Sequence, residues 1–172
     1  MKNQIVFFIA AVALQFVLLL GVPAKKIFTR ATGHEIVLKV APVDPYNVLK
    51  GYYVTLGYDI SQPSAFANAP TLAEGEVVYA IVERQDDGLW QAVTIERTLP
   101  ADLPSNQAAL RGRWQSGRIH YGIEEFSIPE SKRQTVADDL NKNRSEARVD
   151  VKVDAQGEAA LLRLKIQDRT YE

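Results

Sequence analysis

The segment from Ile5 to Val22 reads IVFFIAAVALQFVLLLGV, eighteen residues without a charge, and Gln15 is its only strongly polar member. As an α-helix rising 1.5 Å per residue it spans about 27 Å, close to the thickness of a bilayer's hydrocarbon core. The run is apolar on every face, unlike the one-sided stripe of a helix packed on a soluble core. Lys2 precedes it, and Lys25, Lys26 and Arg30 come after it. A cleaved signal peptide shares the positive start and apolar centre, and Val22-Pro23-Ala24 offers residues a signal peptidase accepts. The run exceeds the usual length of such a centre and abuts the lysine pair without a polar spacer. Residues 1–24 are therefore expected to form an uncleaved transmembrane anchor. Residues 5–22 would contact the lipid bilayer and make the protein a single-pass membrane protein, with flanking lysines snorkelling where the helix is short. The lysine and arginine count alone would keep the remainder of the chain in the cytoplasm. A very short N-terminal tail argues the reverse, and the extracytoplasmic side is the expectation.

Beyond the anchor the chain divides into a basic connector, 25–34, and a domain, 35–172, long enough for one hydrophobic core. The chain is 47% apolar and 24% charged, as globular proteins are. A net charge of -1 supplies no basic field for nucleic acid. There are no cysteines, which excludes disulfides, thiolate nucleophiles and cysteine-bound metal. His34 and His120 are the only histidines, too few for a histidine metal site, and no cofactor motif is present.

Alternation places strands along most of the domain. Ile36, Leu38 and Val40 mark the first. Pro42 and Asp44-Pro45 turn the chain, and a strand from Tyr52 to Ile60 comes next, rich in tyrosine, valine and threonine. Ser61–Glu74 reads as a mobile surface loop. Glu76–Val82 and Trp90–Arg97 form a hairpin around Gln85-Asp86-Asp87-Gly88, and Ala109–Trp114 and Arg118–Phe126 form another around Gln115-Ser116-Gly117. Pro129 opens one helix, to about Asn143, with Val136, Ala137 and Leu140 on its apolar side. Ala147–Val153 and Ala160–Ile166 close the chain as a third hairpin around Asp154-Ala155-Gln156-Gly157. The expected fold class is α+β: an N-terminal transmembrane helix, then a β-dominated antiparallel domain with one short helix.

The text ATGHEIVLKVAPVDPYNVLKGYYVTLGYDIS carries Gly51, Tyr53, Leu56 and Tyr58 at the spacing of a known signature. With Tyr121-Gly122-Ile123-Glu124-Glu125-Phe126, Pro129-Glu130 and the closing VDAQGEAALLRLKI, it resembles the GDYXXLXY family of membrane-anchored bacterial proteins. The signature's aspartate is Tyr52 in this chain, so a carboxylate-based activity at that position is not implied. The resemblance implies an anchored architecture and a place beside multi-spanning membrane proteins. Read physically, the motif is structural: Gly51 marks a turn or close approach, Tyr53 and Thr55 share one face of an extended strand, and Leu56 and Tyr58 share the other. Tyrosines on both faces predict a strand covered on each side. A groove with Tyr53 at its mouth is the alternative reading.

No catalytic constellation stands out. Glu124 and Glu125 are adjacent and would point to opposite faces of a strand. Neither histidine has a neighbouring serine or orienting acid in a recognisable context. Arg111 and Arg113 share one strand face with Trp114 on the other, which is either a solvated face or a surface for headgroups or an acidic partner. The expected function is a membrane-tethered, non-enzymatic accessory or scaffold domain that docks on a membrane-protein partner. The alternative is a small-ligand or envelope-polymer binding module using Tyr53, Tyr58 and Trp114, with Arg111 and Arg113 beside them. A hydrolase with a scattered site ranks last.

Overall fold

The computed structural model describes residues 2–41, 49–50, 53–68 and 70–172. Expectations about Pro42, Asp44-Pro45, Gly51 and Tyr52 lie outside the described residues. The chain opens with one uninterrupted helix, α1, Lys2–Thr32. Residues 25–32 of the connector expected at 25–34 are therefore helical and continuous with the apolar run. Lys25 to Ala31 contains no glycine or proline to stop the helix, and Arg30 in its last turn suits the negative end of the helix dipole. Among the described residues no helix is long and apolar enough to cross a membrane. The side chains of Ile5, Ala10, Val17, Leu18, Leu20 and Val22 are not among those described. The transmembrane part of the expected fold class is thus unsupported by the structure, whereas its antiparallel α+β part stands.

Strand β1, His34–Ala41, begins one residue after α1 and buries Ile36, Leu38 and Val40. Gly33 is the hinge between them because nothing larger fits: a Cβ there would meet Thr29 O at 2.6 Å and the backbone N and C of Val153 at 3.0 Å. All three are backbone atoms and cannot swing aside. Gly33→Ala is expected to destabilise this junction by about 1–3 kcal/mol, read as a lowered melting midpoint, with unchanged melting as the contrary result.

Among the described residues twelve strands succeed α1, in three antiparallel sheets. Of these, β1 is joined by three short ones, β2 Leu49–Lys50, β3 Tyr53–Thr55 and β4 Gly57–Tyr58. Longer ones are β5 Val77–Arg84, β6 Trp90–Glu96 and β7 Gln107–Gln115, and then come β8 Arg118–His120 and β9 Glu125–Ser127. The last three are β10 Ala147–Val153, β11 Ala159–Ile166 and β12 Arg169–Tyr171. The sheets run β12-β11-β10-β1-β4, β6-β5-β7-β8 and β2-β3-β9. One core, including Ile36, Val54, Leu56, Val78, Leu110, Ile123, Val149 and Leu164, joins the layers. Helix α2, Arg133–Asn143, preceded by a 3-10 turn at Glu130–Lys132, adds Val136 and Leu140. The three hairpins form where alternation placed them.

Two strands are not what alternation predicted. Tyr52–Ile60 does not run unbroken: β3 pairs with β9, the chain changes sheets at Leu56, β4 pairs with β1, and a 3-10 turn comes next at Asp59–Ser61. Arg118–Phe126 divides likewise into β8 and β9. Gly122, at φ +74°, turns the chain between them in a conformation a side chain disfavours. The 61–74 segment is a loop as expected, yet it is pinned. Phe66 enters the core, Ala67 N donates to Val93 O at 3.1 Å, and Asn68 Oδ1 accepts from Ile95 N at 3.0 Å. Asp150, one of the charged residues that alternate with valines in β10, is fully buried beneath Arg163 and Lys165. A register skip opposite Asp150–Val151 makes Leu162 an extra residue in β11 and brings Arg163 opposite Asp150.

Candidate functional site

The chain passes from one sheet to another at Leu56, between β3 and β4, and at Tyr121–Glu124, between β8 and β9, and these two places interlock. Leu56 N donates to Glu124 O at 2.7 Å, and Tyr58 Oη donates to Ile123 O at 2.7 Å. In return Tyr121 Oη donates to Ile60 O at 2.5 Å. Each segment thus lends a tyrosine to satisfy a buried carbonyl of the other, where the ladders break and backbone groups would otherwise be orphaned. Glu124 Oε1 accepts from Tyr121 N at 2.5 Å and fixes the turn. Burial, then the nearby Glu124 carboxylate, holds both phenols well above their ordinary value near 10, so both remain neutral donors.

A second junction fastens α1 to the domain. Thr29 is buried, its Oγ1 2.6 Å from Asp154 Oδ2, and Arg30 Nη2 donates to Leu161 O at 2.9 Å. Lys26 Nζ donates to Gly122 O at 2.8 Å. Glu158 Oε1 receives both Lys25 Nζ at 2.7 Å and Arg111 Nη1 at 2.5 Å, tying α1, the β10–β11 turn and β7 together. Burial alone would raise the Glu158 carboxyl, but the hydrogen bonds from Lys25 and Arg111 outweigh it and hold it below the usual range. A carboxyl lowered on folding stabilises fully above its unfolded value, and that contribution is lost as pH falls through the folded value. The junction is therefore expected to be intact at neutral pH and to loosen in acid, below the ordinary range of a glutamate carboxyl. Protection factors of the amides in α1's last turn, each rate referred to its intrinsic value at the same pH, should fall there, and Glu158→Gln should reproduce the fall at pH 7. Equal protection factors at pH 7 and in acid would contradict this.

The residues proposed from sequence separate accordingly. Leu56 and Tyr58 are each 2% exposed, core as expected, whereas Tyr53 is 44% exposed. The motif strand is thus covered on one side only, because β3 buries Val54 and leaves Tyr53 on the open face. Arg111 is committed to Glu158, and Arg113 Nη1 donates to Gly75 O at 2.8 Å. Trp114 is half-buried against the core. None of four surface clefts is lined by more than one of Tyr53, Tyr58, Trp114, Arg111 and Arg113. A cleft of about 400 Å³ at the interlock holds Asp59, Ser61, Arg118, His120 and Glu124, and the Tyr58 hydroxyl is already spent on Ile123. The largest, about 930 Å³, lies between α1, β9 and β11. Among the described residues no group of three or more His, Asp or Glu side chains is placed to hold a metal ion.

Sequence reasoning missed Thr29, Tyr121 and Glu158. Tyr121 belongs to the second family-like block but carries no local signal of its partner. Glu158 reads as one more charge beside a turn.

These features define an antiparallel α+β domain with a long N-terminal helix docked on it and a reciprocal tyrosine interlock at its signature. A family model described as GDYXXLXY protein matches residues 15–164, and the chain belongs to that family. No curated protein and no solved structure matches it.

Proposed function

We propose that this protein is a membrane-anchored, non-enzymatic accessory domain that docks on a membrane-protein partner, with α1 as its uncleaved anchor. One observation carries the reading: a single helix bears uncovered apolar side chains at one end and is locked to the domain at the other. Val6, Phe7, Phe8, Ile9, Leu14, Phe16 and Leu19 are between 59% and 76% exposed. An apolar surface of this extent is sustained in a bilayer or an interface, not in water. Because the helix runs into the domain without a linker, the domain's attitude to the membrane is set by the helix axis. That arrangement suits a part that must present one face to a neighbour. On this reading the domain lies on the extracytoplasmic side.

Carbonate washing of membranes tests the anchor, and protease treatment of intact cells tests the side. The protein is expected to stay in the washed pellet, dissolve in detergent, and be cleaved from outside the cell. Release by carbonate would refute the anchor, and cleavage only in inverted vesicles would place the domain in the cytoplasm. A binding-module reading retains one supporting observation, the exposure of Tyr53. Tyr53→Ala should leave melting nearly unchanged and, on that reading, abolish capture of the ligand or partner.

A further inference from the structure

The largest cleft, about 930 Å³, is bounded by the last turns of α1, residues 122–129 and residues 160–163 of β11. Lys26 and Arg30 lie four residues apart on one face of α1 and both line it. Glu125 and Glu172 also line it. Among the described residues none of these four makes an ion pair, in contrast to Lys25, Arg163 and Glu158 nearby, which all do. The two cations use one donor each on a carbonyl, Gly122 O and Leu161 O, and retain others. Two uncommitted positive and two uncommitted negative side chains therefore share one cleft, floored in part by Phe126, Ile128 and Leu161.

Position selects the ligand, on the reading of α1 as anchor. Lys26 and Arg30 stand about 6 and 12 Å along the helix beyond Val22, the first within the headgroup layer and the second beyond it, where a long side chain directed back towards the helix N-terminus reaches the layer. We propose that this cleft takes the phosphoethanolamine headgroup of a phospholipid in the leaflet where α1 emerges. Lys26 and Arg30 meet its phosphate, and Glu125 and Glu172 its ammonium. A phosphate without an ammonium would leave the carboxylates unpaired. A quaternary choline ammonium has no N–H to donate to them.

Native mass spectrometry of the full chain in mild detergent, with equimolar phosphatidylethanolamine, phosphatidylglycerol and phosphatidylcholine, tests this. The expected result is preferential retention of one phosphatidylethanolamine. Retention should weaken about thirty-fold in Lys26→Gln/Arg30→Gln and persist in the charge-keeping Lys26→Arg/Arg30→Lys. Glu125→Gln/Glu172→Gln should shift preference to phosphatidylglycerol, and millimolar inorganic phosphate should not displace the lipid. Equal retention of the three lipids, unchanged retention in the glutamine pair, displacement by phosphate, or a bound polypeptide in the lipid's place would each overturn the proposal. If such a result came with a carbonate-resistant chain, the headgroup site alone would fail. Carbonate release would instead remove the anchor reading and this proposal with it.

Discussion

Leu56→Ala is expected to destabilise the domain by about 2–5 kcal/mol, because it empties a 2%-exposed site where the chain passes between two sheets. The backbone there is held by Leu56 N on Glu124 O, so neighbouring segments have little freedom to collapse into the space. Tyr58→Phe and Tyr121→Phe should each cost about 1–3 kcal/mol, since each strips the hydroxyl from a buried carbonyl, Ile123 O or Ile60 O. The two hydroxyls close one interlock from opposite sides, so the double variant should lose less than the sum. Tyr53→Phe should be close to neutral by the same reasoning, because Tyr53 faces outward. Urea melts monitored by tryptophan fluorescence of Trp90 and Trp114 read all of these. A Leu56→Ala chain that melts like the parent would contradict the structural account of the signature.

The second large effect concerns α1. Ala11→Arg with Leu14→Arg sets two charges near the middle of the apolar run, at about 2.5–3.5 kcal/mol each for a charge at the centre of a spanning helix. Together they should abolish membrane retention. Neither side chain belongs to the domain core, so the fold after residue 25 should be unaffected. Loss from the pellet with an unchanged far-UV spectrum of the domain is the expected pair of results. Undiminished retention would show that the helix does not hold the protein to the bilayer.

The hairpins were legible because Val149, Val151 and Val153 or Leu162, Leu164 and Ile166 alternate cleanly, and a turn sequence separates each pair of strands. The sheet changes were not, because Tyr, Val, Thr and Ile continue to favour extended backbone straight through Leu56 and Ile123. What breaks the first is a long-range exchange of hydrogen bonds, invisible to local pattern; the second shares that exchange and also turns at Gly122. The helical connector was missed for a related reason: Lys25, Lys26 and Arg30 read as the end of an apolar run, whereas their partners Glu158, Gly122 and Leu161 lie about a hundred residues or more along the chain. Asp150 is the same lesson in a strand. Alternation puts it outside, and only the extra residue Leu162 brings Arg163 over it. An isolated buried charge would be costly, so Asp150 is tolerated through its two cationic neighbours. In the candidate site, the signature's spacing foretold Leu56 and Tyr58 as core, but not that Tyr121 would answer Tyr58.

One unbroken helix is proposed both to anchor the protein and to carry the domain. The intact mass of the chain recovered from carbonate-washed membranes tests it most directly. The expected species has close to the full 19.2 kDa and retains residues 5–22. A mature chain that begins near Lys25 and partitions into the aqueous wash would contradict it.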